Sequence, residues 1–113
     1  MSEYVMKDCS LKKLEKNGFA KHIGLSGIGE TYYTYRFVVY HYRGIPTIEA
    51  ELIVCLETGD TTVEVFDKNT RSRYAGWYLR GTLGYAGSNL VVKDIDDKIR
   101  KKMKKFDIKE VKE

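Results

Sequence analysis

Glu49 and Glu51 alternate within one extended stretch, which sets two carboxylates about 7 Å apart on the same face of a strand. Paired carboxylates near that spacing can do acid–base work. These two stand in mid-strand beside Tyr40 and Arg36, away from any loop end, so they read as solvated cross-strand partners. His41 and Cys55 are the second pair of reactive types, and a Cys–His dyad needs both on one side of a sheet. The strand register argued below sends them to opposite faces. Gly24, Gly27 and Gly29 approach a phosphate loop, but Glu30 stands where G-x-x-x-x-G-K-[ST] requires lysine, and a carboxylate repels phosphate. Those glycines read instead as a turn or bulge feeding a strand. His22 and His41 sit far from any metal-ligand spacing, and Cys9 and Cys55 read as free thiols. The sequence thus predicts a non-enzyme with no catalytic residue, metal or cofactor.

Recognition chemistry is better represented. Tyr32, Arg36, Tyr40 and Tyr42 alternate along one strand among Glu49, Glu51 and Glu57, and Arg71, Arg73, Arg80 and Tyr85 follow downstream. Exposed tyrosines and arginines are the residue types that anchor protein interfaces. Charge is segregated along the chain. Residues 45–67 hold six acids and no Lys or Arg, whereas Lys68–Arg80 holds four bases and no acid. Lys98, Arg100, Lys101, Lys102, Lys104 and Lys105 form a second basic block, able to contact phosphates. The formal net charge of +4 permits an anionic partner without demanding one.

The elements that must position these residues start with residues 32–42. That run is aromatic, β-branched or strand-tolerant, with no Gly or Pro, and predicts a long strand. Arg43-Gly44-Ile45-Pro46 supplies a turn and Thr47–Glu57 a second strand, pairing Tyr42 with Thr47 and His41 with Ile48. One face then carries Tyr33, Tyr35, Phe37 and Val39 opposite Leu56, Val54, Leu52 and Ala50; a one-residue slip would scramble that separation. Thr58-Gly59-Asp60-Thr61 fits a two-residue turn and sets Val63 against Leu56 and Val65 against Val54. Arg71–Leu79 reads as a fourth strand: an even loop before it pairs Glu64 with Arg73, an odd one turns Trp77 inward, and burial of the large indole favours the latter.

Residues 8–18 predict a short helix capped by Asp8, with Leu11 and Leu14 inward and Asn17-Gly18 as the stop. Residues 20–25 suggest a short strand, and Gly81, Gly84 and Gly87 a loop. Ser88 or Asn89 caps a helix over 90–106, whose Val92, Ile95, Ile99, Met103 and Phe106 form one apolar stripe. Asp94, Asp96 and Asp97 stand four residues before Lys98, Arg100 and Lys101. Residues 107–113 read as a frayed polar tail. The expectation is one α+β domain over 1–113: a two-layer fold with a four- to five-stranded antiparallel meander and both terminal helices on one face.

The helix–three strands–helix order resembles a double-stranded-RNA-binding domain in topology, although that family keeps lysines where this chain has Asp94, Asp96 and Asp97. Tyr74-Ala75-Gly76-Trp77-Tyr78, the glycine-rich loop and the lysine-rich helix resemble small uncharacterised proteins of phages and mobile elements of Gram-positive bacteria. That resemblance implies an inhibitor that occupies a surface of host defence machinery, as anti-CRISPR proteins do. The expected function is docking on a host protein or ribonucleoprotein; direct nucleic-acid binding through the basic helix is the alternative. Homodimerisation through an edge strand stays open. No apolar run spans a bilayer and no signal segment opens the chain, so the expectation is a cytoplasmic protein without a membrane partner.

Overall fold

Alternation of apolar and polar residues from Tyr32 to Asp67 produces three long strands, and the rest of the chain assembles on them. The computed structural model describes residues 4–22, 30–78 and 90–111. In chain order these form β1 (Tyr4–Met6), α1 (Leu11–Lys16), β2 (Ala20–Lys21), β3 (Tyr32–Tyr42), β4 (Ile45–Cys55), β5 (Asp60–Asp67), α2 (Ala75–Tyr78), α3 (Leu90–Lys105) and β6 (Ile108–Glu110). The protein is α+β, with one open sheet in the order β2-β3-β4-β5-β1-β6 and every pairing antiparallel. Six strands replace the expected four to five.

The β3–β4 hairpin has the expected faces and a different register. Its loop is Arg43-Gly44 alone, with φ of 51° and 79°, as a twist-matched two-residue turn requires. Tyr42 therefore pairs with Ile45, and Tyr33, Tyr35 and Phe37 pair with Val54, Leu52 and Ala50. The shift is two residues, which leaves side-chain parity intact. β5 shifts likewise, by an even number, so Val63 meets Leu52 and Val65 meets Ala50. The connection before β5 ends on Gly59, at φ 80°, whose missing Cβ would lie 2.6 Å from the Met6 carbonyl. That close approach lets the Met6 N–H reach the Gly59 carbonyl at 2.8 Å and docks β1 beside β5.

Four further expectations need correction. Ser10, not Asp8, caps α1: its hydroxyl accepts from the Lys13 N–H at 3.1 Å, while Asp8 turns at φ 52°. Leu14 is buried but Leu11 is exposed, because a helix of 6 residues presents one turn to the core. Residues 71–78 are not a strand. Arg73 makes an isolated bridge to Phe66, the Tyr78 hydroxyl accepts from the Val65 N–H, and Trp77 reaches the core from α2. The tail does not fray over 108–110: β6 pairs with β1 and buries Ile108. Of the suggested strand 20–25, Ala20–Lys21 forms, and 23–25 lie outside the described residues, as do Ser88 and Asn89.

A single core joins Ala50, Leu52, Val54 and Val65 of the sheet to Leu14, Trp77, Ile95, Ile99 and Met103 of the helices. At one end Phe106 makes edge contacts with Phe19 and Tyr35, ring centres 5.0 and 4.9 Å away, tying together the segments after α1 and α3 and strand β3. Phe106→Ala is expected to cost about 4 kcal/mol in urea unfolding, a transfer loss plus a cavity. Gly59→Ala is expected to cost about 3 kcal/mol from its φ and the clash with β1, whereas Gly44→Ala, with open space at its Cβ, should cost clearly less.

Candidate functional site

The side of the sheet facing away from this core carries a basin of about 670 Å³ lined by Arg36, Glu49, Glu51, Glu64, Phe66, Lys68, Arg71 and Arg73. Strand alternation explains most of this lining: Arg36, Glu49, Glu51, Glu64 and Phe66 are out of phase with the core residues of β3, β4 and β5, while Val65, also at the basin, belongs to the core. Arg36 Nε and Nη2 both donate to Glu51 Oε2, at 3.2 and 3.0 Å, and its guanidinium lies 5.0 Å from the Phe66 ring centre. Glu51 is 8% exposed, so its carboxylate is mostly withdrawn from water while the Arg36 side chain stays exposed above it. Lys68 lies 3.8 Å from Glu49, and Arg73 lies 3.6 Å from Glu64 while stacking over Tyr78. Each carboxylate has a cation. Arg71, exposed and at φ 58°, makes no ion pair among the described residues.

Glu51 is thus paired across strands with Arg36 but is buried, not solvated as expected, and Glu49 meets Lys68 just past the end of β5. His41 pairs with Pro46 and Tyr32 with Cys55, at opposite ends of the hairpin, roughly 30 Å apart by strand rise. His41 and Cys55 therefore form no dyad. Cys9 Sγ donates to the Cys55 carbonyl at 3.8 Å, and burial pushes the Cys9 thiol pKa up, which makes it a poorer nucleophile. Beside Cys55, the exposed Tyr32 hydroxyl donates to Glu30, which pushes its pKa up to about 12. The Glu57 carboxylate accepts from the Thr31 N–H, which lowers its pKa. Among the described residues no group of three His, Cys, Asp or Glu side chains can hold a metal ion, and no described helix is long and apolar enough to cross a membrane.

One expected contact residue is misplaced. A register shift between Val38 and Tyr40 marks a bulge, after which Tyr40 pairs with buried Ile48 and packs against the core. Two consecutive residues at such a bulge oppose one partner, so strict alternation fails there. Tyr42 is exposed at the hairpin tip, with the Arg43 guanidinium 5.4 Å from its ring centre. Arg36, Arg71 and Arg73 converge on the basin. Arg80, Tyr85 and the Gly81–Gly87 loop lie outside the described residues. Phe66 and Lys68 were missed, although the phase of β5 already sets Phe66 beside Glu64 on the polar side.

The basic helix separates into two groups. Arg100 bonds Asp96 at 2.8 Å and Glu110 at 3.4 Å, and the Asp96 hydrogen bond raises its pKa, so it is engaged toward β6. Lys98, Lys101, Lys102, Lys104 and Lys105 instead line a groove of about 690 Å³ with Phe37 and Val38. Within it Lys98 bonds Asp94 at 2.9 Å and the Val39 carbonyl at 3.1 Å, and Lys102 Nζ sits 5.6 and 5.5 Å from the Tyr35 and Phe37 ring centres. Asp97 makes no ion pair among the described residues, so the expected contact to Lys101 is absent.

The chain matches no protein-family model, no curated protein and no solved structure.

Arg36→Met strands the Glu51 carboxylate, and we expect a loss of about 2 kcal/mol in chemical denaturation that Glu51→Leu in the same chain largely restores. Tyr32 ionises near pH 12 when folded and near 10 when unfolded. Its hydrogen bond to Glu30 therefore contributes below pH 10 and is lost between pH 10 and 12. NMR titration of the Tyr32 ring should show this, with Glu30→Gln moving the midpoint down.

Proposed function

We propose that the protein is a small non-enzymatic binding protein, a two-layer scaffold whose charged sheet face docks on a host protein or ribonucleoprotein in the cytoplasm. The observation that carries this reading is the basin: three ion pairs, one of them cross-strand, arginines laid on Phe66 and Tyr78, and the Arg71 guanidinium, which makes no ion pair among the described residues. Pre-paired arginine on aromatic rings loses little side-chain freedom on contact, which suits a protein interface. A face so nearly neutral is a poor match for a polyanion. The phage resemblance supports a specific setting, inhibition of host defence in the anti-CRISPR manner, and it belongs to the same proposal. Affinity capture from bacterial lysate, with and without nuclease, tests it. Binding should survive nuclease and fall at least tenfold in Tyr42→Ala/Arg71→Ala/Arg73→Ala, a loss of the size hot-spot residues carry. Undiminished binding by that variant would sink the reading.

The lysine groove favours a second reading, direct nucleic-acid binding, with Lys101, Lys102, Lys104 and Lys105 on the phosphates and Lys98 and Arg100 held by their own ion pairs. Four such contacts to a single strand predict a ~50-fold loss of affinity between 50 and 200 mM salt. A flat salt response in fluorescence anisotropy excludes it.

A further inference from the structure

The groove beside α3 also exposes backbone, and this separates it from an ordinary basic patch. Phe37 and Val38 are consecutive in β3 and point to opposite faces of the sheet, so a groove that touches both runs along the strand edge. The polarity of that edge follows from two hydrogen bonds. The Thr31 carbonyl accepts from Leu56, on the β4 side, and the Tyr32 carbonyl accepts from His22, on the β2 side. Alternation then directs the N–H and C=O of Arg36 and Val38 away from β4. β2 covers only Tyr33 and Thr34, and no described backbone group outside β4 bonds to residues 36–42. At the bulge the Val39 carbonyl accepts from Lys98 Nζ at 3.1 Å, so a lysine stands where a neighbouring strand would be.

An open edge ordinarily invites a second copy of the same chain. Here a second copy would bring another Lys98–Lys105 row against this one, and like charges at that distance repel. Charge complementarity selects a different occupant. We propose that the β3 edge and the lysine groove together accept an extended acidic peptide segment of a protein partner, which adds a short strand beside Arg36–Val38 and lays its carboxylates along Lys101, Lys102 and Lys105. Strand addition takes its affinity from main-chain bonds and its selectivity from alternate side chains. In an alternating acidic–apolar segment one set of side chains faces the lysines and the other lies over Val38. The proposal rests on the protein-docking reading and names the partner's chemistry.

The probe is an acetylated eight-residue peptide alternating Glu and Val, titrated against the full chain at low salt by fluorescence anisotropy. Expected are saturable binding, a loss of about tenfold for Lys101→Glu, and a loss of about fivefold for each probe N-methylated at an edge-facing amide, the effect of one hydrogen bond. N-methylation leaves the protein untouched, so it reads strand pairing without any question of folding. Val38→Pro removes an outward N–H at an edge position that tolerates proline, and it should abolish binding while the circular dichroism spectrum is retained. Arg71→Ala/Arg73→Ala should leave the probe's affinity unchanged, which distinguishes failure here from failure of the basin as a docking face. No binding at low salt, binding indifferent to N-methylation, or a thymidine oligonucleotide bound in place of the peptide would overturn the proposal.

Discussion

The fold depends on the aromatic junction where Phe106 meets Phe19 and Tyr35. These three rings belong to the residue following α3, a residue three past the end of α1 and the middle of β3, so they join the segments after those two helices to the central hairpin. Edge and tilted contacts between rings at about 5 Å add to the burial of the rings themselves. Phe106 is buried and ends its helix, and two residues later Ile108 enters β6. The junction therefore directs the C-terminal segment to the edge of the sheet, where it pairs with β1. β1 in turn is admitted by the missing side chain of Gly59. Sheet closure at that end is a chain of local consequences, each involving a side chain or its absence.

The two faces of the sheet solve different problems with the same strands. The buried side is filled by aliphatic and aromatic residues from all three described helices. The opposite side is charged, and its ion pairs, one between strands and two to the segment after β5, bring Glu49, Glu51 and Glu64 each to a cation. Burying Glu51 without Arg36 would carry a desolvation cost that the aligned guanidinium offsets. What results is a rigid, nearly neutral surface with arginines held flat on rings, in contrast to the lysine groove, where flexible cations surround an apolar strand edge. The two surfaces call for different partners: the first for a matched protein face, the second for something extended and acidic.

Much of this was legible without coordinates. The even residues of β4 and the odd residues of β3 and β5 separate apolar from polar so cleanly that any even shift of register preserves the assignment. That is why the hairpin loop and the β4–β5 connection differ in length from expectation while the inner face, Tyr40 apart, keeps its residues. Trp77 was placed inside for its size and arrives there from a short helix. Tyr40 was misread because a bulge has no signature in a run of strand-forming residues. β1 and β6 were missed because 3 residues leave too little periodicity to detect.

Local composition alone determined the three long strands, the amphipathic helix over 90–105 and the segregation of acids from bases, since each follows from nearest-neighbour periodicity and charge. The tertiary structure decided what depends on distant segments meeting. It set the register, the burial of Glu51 against Arg36, the division of the basic helix between Arg100 and the lysines, and the entry of both chain ends into the sheet. The physical reason is range: periodicity is written in residues a few apart, whereas an ion pair or a strand pairing depends on which remote partner arrives.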